Sequence, residues 1–191
     1  MPKKVKINYQ KTFIQSKRLV VRPYKLTDFK NCQSSHLGRL KNQGPYDEPI
    51  RSASAVNYSE FKKTIEFFRR IGKMQVQYIF GVFDRKNGEL LGEVSLMVIN
   101  KQMRWANLGY HIQNQYFKKG YATEACRLAL KLAFKELGFH RVEAGTELKN
   151  KASKAVAKKI GMSYEGKRLK FFSHSGGVDM VFYGANAMDY K

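Results

Sequence analysis

The residues best suited to chemistry lie in a cation-rich turn between a strand pattern and a helix pattern. The turn runs Gln115-Tyr116-Phe117-Lys118-Lys119-Gly120-Tyr121-Ala122-Thr123-Glu124. Residues 105–112 before it alternate between apolar and polar side chains, as a half-buried strand does. After Gly120, a polar stripe and an apolar face recur at helical spacing. The unpaired amides of a helix's first turn attract anions, and Gly120 and Ala122 leave them uncovered, so the junction predicts a phosphate site.

A second candidate lies downstream, where Asn150 is followed three positions later by Ser153. In the helix predicted for residues 151–160, Ser153 falls on the apolar, inward side, while lysines form the solvated stripe. A hydroxyl that points inward needs a hydrogen-bond partner. Two interpretations stay open: Ser153 lies beside a bound ligand, or Asn150 caps the helix and Ser153 bonds its first turn.

The elements around these residues combine a hairpin-built region with a strand-helix-strand unit. The patterns predict helices at 58–71 and 151–160, and strands at 76–83, 90–99, 105–112, 142–146, 162–172 and 178–183. The run Lys86-Asn87-Gly88 is a strong hairpin turn between the first two of these strands. We therefore expect an α/β fold of the α+β kind.

Composition limits the class of protein. The chain has 191 residues and is 43% hydrophobic, with no repeat or linker, which predicts one domain over residues 1–191. No apolar run approaches the roughly 20 residues of a membrane span, and the basic start is not followed by a signal core, so we expect a cytoplasmic protein without membrane contact. Cys32 and Cys126 show no ligand spacing, which argues against a metal site or a disulfide framework.

The turn resembles the acyl-CoA signature of the GNAT superfamily of N-acyltransferases, Arg/Gln-x-x-Gly-x-Gly/Ala, which falls on residues 117–122. Other blocks follow the order and spacing of the bacterial ribosomal-protein N-terminal acetyltransferases of the RimJ/RimL kind: Leu19-Val20-Val21-Arg22-Pro23, Leu108-Gly109-Tyr110, Phe139-His140-Arg141-Val142-Glu143-Ala144, Asn150-Lys151-Ala152-Ser153, Ile160-Gly161-Met162, Tyr164-Glu165-Gly166 and Gly177-x-Asp179. The likeness covers nearly the whole chain. It departs at Phe117, where Arg or Gln is usual, and at Lys118, where Gly is frequent, but neither change removes backbone amides.

The resemblance implies a GNAT fold, with a mixed, mostly antiparallel sheet of about seven strands, a central splay that holds the thioester, and flanking helices. It implies acetyl-CoA as cosubstrate, without a metal. The residues expected to contact acetyl-CoA are His111, Ile112, Phe117, Lys118, Lys119, Gly120, Tyr121, Ala122, Thr123, Asn150 and Ser153. By the same resemblance, backbone amides around His111 and Ile112 stabilise the oxyanion, Asn150 contacts the pantetheine arm, and Ser153 protonates the departing thiolate.

The sequence does not single out one residue as the general base. Positions where related enzymes often carry a carboxylate hold Asn107 and the pair Phe171-Phe172. The remaining candidates are Glu93, His111, Glu143, Glu147 and His174. We favour Glu93 as catalytic residue because it shares a strand face with Ser95 and Met97 and could point into the cleft, acting through water. The alternative is an ion pair between Glu93 and a lysine.

The formal net charge of +21 attracts polyanions and disfavours cationic small molecules as substrates. We therefore expect direct acetyl transfer from acetyl-CoA to an amine, foremost the N-terminal α-amino group of a ribosomal protein, with ribosomal RNA as a further contact of the basic surface. Two alternatives stay open: a catalytically weakened GNAT fold that binds the ribosome or RNA, and an acetyltransferase of a small-molecule amine. The sequence leaves monomer and homodimer equally open.

Overall fold

The computed structural model describes residues 8–49, 52, 54, 56–173 and 177–190. Within these residues the strands are Ile14–Gln15 (β1), Leu19–Arg22 (β2), Gln77–Asp84 (β3), Leu90–Asn100 (β4), Trp105–Ile112 (β5), Arg141–Glu147 (β6), Ser163–Phe172 (β7) and Val178–Asn186 (β8). The α-helices are Phe29–Leu37 (α1), Tyr58–Lys73 (α2), Tyr121–Lys135 (α3) and Lys151–Lys159 (α4). Short 3₁₀ turns occur at Tyr9–Lys11, Leu26–Asp28 and Asn114–Tyr116.

All the described strands join one sheet in the order β1-β2-β3-β4-β5-β6-β8-β7. The pairing is antiparallel everywhere except between β5 and β6, which run parallel. The mixed, mostly antiparallel sheet is thus confirmed; among the described residues it contains eight strands, where about seven were expected. Beyond the six strands located by periodicity, the sheet contains β2, which falls on the Leu19 block of the resemblance, and β1, which has two residues and pairs with Val20 and Val21 of β2. A strand of that length carries no readable alternation.

The expected splay is confirmed between β5 and β6. These two strands pair only at Trp105 with Arg141, Ala106 with Val142, and Asn107 with Glu143. Beyond Asn107, β5 continues to pair with β4, and β6 continues to pair with β8. The two strands therefore diverge, and a wedge-shaped gap opens in the middle of the sheet.

Helix α3 closes one face of the sheet. Its apolar side is buried along the whole helix, through Ala125, Cys126, Leu128, Ala129, Leu130, Leu132 and Ala133. These side chains join the main core with the alternate, inward residues of β3, β4 and β5, such as Phe80, Val94 and Ala106. The helical spacing after Gly120 is confirmed, and the core holds the end of β5 and the start of α3 in fixed relation.

Two negative findings concern the described residues alone. None of their helices is long and apolar enough to cross a membrane. In the same ranges, no group of three or more His, Cys, Asp or Glu side chains could hold a metal ion.

The two cysteines are free thiols, and Cys126 is buried. Burial raises the pKa of the Cys126 thiol, and it raises the pKa of the Cys32 thiol to about 12.

Candidate functional site

The cation-rich turn lies where the sequence placed it, between β5 and α3. It passes through a 3₁₀ turn and Phe117, and then adopts left-handed conformations at Lys118 (φ 61°) and Gly120 (φ 79°). Gly120 is the N-cap of α3, and none of the side chains that the structure describes caps the helix there. The first amides of α3, from Tyr121, Ala122 and Thr123, therefore face the turn without a capping group and suit an anion.

Arg18 completes this turn, a contribution that the sequence did not reveal. One guanidinium nitrogen, Nη1, donates to the carbonyl oxygen of Lys119 at 3.2 Å. The Nε atom donates to the carboxylate of Glu124 at 2.7 Å, and the guanidinium lies 4.7 Å from the ring centre of Tyr121. Glu124 is the acidic residue in the first turn of α3. Its pairing with Arg18 offsets a negative charge that would repel a phosphate.

The gap between β5 and β6 forms a cleft of about 170 Å³. Side chains from four elements line it, among them Tyr110 of β5, Cys126 of α3, Thr146 of β6 and Ser153 of α4. The cleft and the turn adjoin along the chain, because β5 lines the cleft and the turn begins where β5 ends. A narrow gap next to an anion site fits a long, thin ligand with a diphosphate group, as acetyl-CoA is.

Backbone groups form one wall of the cleft. The amide of Gln113 donates to the carbonyl oxygen of Leu91, at the position that continues the β4–β5 register. Because an antiparallel strand directs the backbone groups of alternate residues to opposite sides, His111 also faces β4. Ile112 then directs its amide to the other side, where β6 has diverged. Of the two amides predicted to stabilise an oxyanion, the alternation favours that of Ile112.

In the Asn150 and Ser153 pair, Asn150 is the cap of α4 and Ser153 is a residue of the cleft wall. The side-chain oxygen of Asn150 accepts from the amide of Ser153 at 3.0 Å, so Asn150 does cap α4. The hydroxyl of Ser153 nevertheless lines the cleft and lies 3.1 Å from the hydroxyl of Tyr110. Burial raises the pKa of Tyr110 to about 12, so this hydroxyl stays protonated at neutral pH. The cleft therefore contains a pair of hydrogen-bonded hydroxyls.

Glu93 lies on β4 directly opposite His111 on β5. The hydroxyl of Tyr24 donates to its Oε2 atom at 3.1 Å. Burial is the main cause that raises the pKa of Glu93 to about 7; the hydrogen bond from Tyr24 opposes the rise and the negative charge of Glu48 contributes to it. Among the described residues, no ion pair joins Glu93 to a lysine or an arginine. The alternative of a lysine-paired Glu93 is therefore not what the structure shows.

The loop after α1 brings Glu48 to this cluster. Oε1 of Glu48 is 3.6 Å from Nδ1 of His111. The preceding residue, Asp47, forms a buried ion pair with Arg39 at 2.5 Å and accepts from Nδ2 of Asn114 at 2.8 Å. Arg39 also donates to Gln113 and to the carbonyl oxygen of Glu48. A buried polar network thus fastens the loop to the end of β5.

The other candidate bases lie in different surroundings. Glu147 accepts a hydrogen bond from the hydroxyl of Tyr46 at 3.1 Å. Glu143 is buried at the last position of β6 that pairs with β5, and burial raises its pKa. Asn107 stands opposite Glu143, where related enzymes often carry a carboxylate. His174 lies outside the described residues.

Comparison with known proteins fits this geometry. A family model described as the acetyltransferase (GNAT) domain matches residues 18–163. The chain belongs to the GNAT acetyltransferase family. It is 32% identical to "Probable N-acetyltransferase YjcK" of Bacillus subtilis over 80% of this chain and 84% of that protein. It is 28% identical to the spermidine N(1)-acetyltransferase of Escherichia coli K12 over 65% of this chain and 69% of that one.

A solved structure shares the fold. The ribosomal-protein-S5-alanine acetyltransferase from Vibrio fischeri aligns with a TM-score of 0.76 over 94% of this chain and 98% of that chain, at 22% identity. As a GNAT protein, the chain is an N-acetyltransferase that uses acetyl-CoA. The uncapped amides at the turn and the adjoining cleft suit the diphosphate and the pantetheine arm, respectively, so this chain's own residues fit that cosubstrate.

We predict that Gly120→Val weakens acetyl-CoA binding about tenfold or more, because a left-handed conformation costs an L-residue about 1–2 kcal/mol and the turn would shift to relieve it. Among the described residues, a β-carbon at Gly120 would come within 4 Å of Arg18 alone, at 3.7 Å, so backbone strain and not a clash is the cause. Isothermal titration calorimetry measures the effect.

The matched control is Gly88→Val. Gly88 has φ 74° and a nearest neighbour at 3.6 Å, but it lies in the β3–β4 hairpin. This variant should lose similar stability and keep its acetyl-CoA affinity within about twofold. Equal affinities for the Gly120 variant and the wild type would contradict the phosphate site.

Proposed function

We propose that this GNAT enzyme transfers the acetyl group to the N-terminal α-amino group of a protein, with ribosomal proteins as the favoured acceptors. The observation that carries the proposal is the position of Glu93, a half-buried carboxylate opposite His111 that accepts a hydrogen bond from Tyr24 and whose pKa burial raises to about 7. An α-amino group has a pKa near 8, so moving its proton to Glu93 costs about 1.4 kcal/mol. A lysine side chain near 10.4 would cost about three times as much. The pKa of Glu93 is therefore closer to that of an α-amino group than to that of a lysine side chain.

Each residue of the site has a task in this scheme. Acetyl-CoA supplies the activated acetyl thioester. The first amides of α3, with Lys118 and Lys119, bind its diphosphate. The amide of Ile112 donates to the thioester oxygen as negative charge develops there. Glu93 accepts the proton of the attacking amine, directly or through one water.

Ser153 acts at the opposite end of the bond that breaks. Its hydroxyl donates a proton to the departing sulfur and takes a proton from the hydroxyl of Tyr110. Solvent then returns a proton to Tyr110. The 3.1 Å separation of the two hydroxyls supports this exchange. Asn150, which caps α4, fixes the backbone of Ser153 and contacts the pantetheine arm.

Two arguments support a ribosomal acceptor. The net charge of +21 draws the enzyme towards polyanions such as the ribosome. The Vibrio fischeri enzyme of the same fold is named for a ribosomal protein. We further propose that the basic surface contacts ribosomal RNA, with an affinity that falls steeply as salt rises.

A polyamine is the second candidate acceptor. Glu48 and Glu93 place carboxylates near His111, which would attract a compact cation despite the overall charge. The 28% identity with spermidine N(1)-acetyltransferase points in the same direction. Against it, a polyamine would have to surrender a proton from a more basic amine.

The acceptor is tested by mass spectrometry of N-terminal acetylation on ribosomal proteins from cells with and without this chain. We expect at least one α-amino group to be acetylated only when the chain is present. In parallel, kcat/KM is measured for a peptide of that N-terminus and for spermidine. A higher value for spermidine, with unchanged ribosomal proteins, would replace the first acceptor by the second.

We predict that kcat falls about tenfold per unit of pH below about 7 and levels off above it, because only the carboxylate form of Glu93 accepts a proton. The Tyr24 hydrogen bond lowers the pKa of Glu93, so Tyr24→Phe should move this midpoint to higher pH. Glu93→Gln should lower kcat about 10²-fold or more and remove the midpoint. Glu147→Gln is the control and should leave the pH profile unchanged. A midpoint that survives in Glu93→Gln would assign it to another group.

Ser153→Ala should lower kcat about 10²-fold, because the sulfur would lose its proton donor. The dissociation constant of acetyl-CoA, measured by calorimetry, should change less than about twofold. Tyr110→Phe removes the hydroxyl behind Ser153 and should produce a smaller loss of kcat. If kcat is unchanged in Ser153→Ala, the residue serves only the start of α4.

A further inference from the structure

We propose that a second cavity, between residues 9–13, β2 and α2, binds an organic anion with an aromatic body. The cavity has a volume of about 440 Å³. Sites for small organic ligands typically enclose about 300–1,000 Å³. None of its lining residues lines the cleft between β5 and β6. It is therefore separate from the acetyl-CoA cleft and needs its own explanation.

The charge of the cavity is one-sided. Lys11, Arg22, Lys25 and Arg69 line it, and among the described residues no carboxylate does. Arg22 is neutralised by Asp28, with nitrogen-oxygen distances of 2.7 and 2.8 Å. The other three cations form no ion pair within the ranges that the structure describes. Uncompensated cations around a concave surface create a positive potential that selects an anion.

Apart from the polar side chains of Gln10 and Thr12, the rest of the lining is apolar or aromatic. It includes the rings of Tyr9, Phe13, Tyr24 and Phe68, with the centres of the last two 5.9 Å apart. The hydroxyl of Tyr9 donates to the carbonyl oxygen of Ile79, and that of Tyr24 donates to Glu93. Both hydroxyls are thus committed elsewhere, and the tyrosines offer the cavity mainly their rings. Phe13 is 58% exposed at this site, so a ligand that covered its ring would gain binding free energy from the apolar surface removed from water.

The positive charge and the aromatic lining of the cavity together define the class of ligand. A small inorganic anion would use the cations but leave the rings exposed to water. A neutral aromatic molecule would cover the rings but not the charges. An aromatic ring that carries a carboxylate or phosphate satisfies both, because rigid rings pack against one another and against the cation stems. The cavity therefore favours a compact aromatic anion.

Arg69 and Arg70 offer a matched pair of variants. Both lie on α2, but Arg69 lines the cavity, whereas Arg70 is exposed and lies 5.6 Å from the ring centre of Phe67, outside it. Arg69→Glu and Arg70→Glu change the net charge equally. Only the first changes the charge inside the cavity, so the pair separates a local site from the general attraction of a basic protein.

The test is a titration of the full chain, labelled with ¹⁵N, with 2-naphthoate in the presence of saturating acetyl-CoA. We expect saturable shifts of amide resonances around Lys11, Arg22 and Arg69. The affinity should fall at least tenfold in Arg69→Glu and in Phe13→Ser, and should stay within about twofold in Arg70→Glu. Should Arg69→Glu fail to fold, Lys11→Glu at an exposed position replaces it.

Three results would overturn the proposal. The first is the absence of saturable shifts at these amides up to millimolar 2-naphthoate. The second is equal binding of the neutral 2-naphthalenemethanol, which would mean unspecific apolar contact, or of inorganic phosphate, which would mean a site for charge alone. The third is an equal loss of affinity in Arg69→Glu and Arg70→Glu. None of these readouts depends on which amine the enzyme acetylates.

Discussion

The divergence of β5 and β6 after Asn107 is the constraint on which the site depends. Each strand keeps its partner on the far side, β4 for β5 and β8 for β6, so the two can part without unravelling the sheet. Their facing edges then carry backbone groups without a strand partner. Buried groups of that kind require hydrogen bonds, and an extended ligand with amide groups can supply them as a neighbouring strand would. The gap is thus a binding site that exists because β5 and β6 do not pair beyond Asn107.

Burial governs the chemistry near Glu93 although the chain carries a charge of +21. Lysine side chains are long and stay in water, where salt screens their charges beyond about 10 Å. Glu93 is half-buried beside Tyr24 and Glu48, and loss of solvation raises its pKa to about 7. The buried pair of Arg39 and Asp47 keeps Glu48 in place. The electric field of the whole protein and the raised pKa of Glu93 therefore have different causes. The field can attract a polyanion, while Glu93 acts on the acceptor amine.

Sequence patterns predicted what depends on periodicity. They gave β5 at its observed bounds and placed Ser153 on the inward side of α4, where it meets the cleft. They could not supply partners from distant parts of the chain. Tyr24 precedes Glu93 by 69 positions, and Arg18 precedes Glu124 by 106. Glu48 was missed because its loop has no periodic pattern, and its position follows from the network around Asp47.

One glycine on β3 explains how Tyr24 reaches Glu93. Gly81 pairs with Glu93 across the β3–β4 ladder, so the two residues share one face of the sheet. A β-carbon at Gly81 would come within 2.5 Å of the Phe83 ring and 3.0 Å of the Tyr24 ring. Any larger residue would push these rings away and break the hydrogen bond to the carboxylate. The missing side chain on β3 thereby sets the surroundings of the proposed base on β4, and through Tyr24 it also shapes the wall of the cationic cavity.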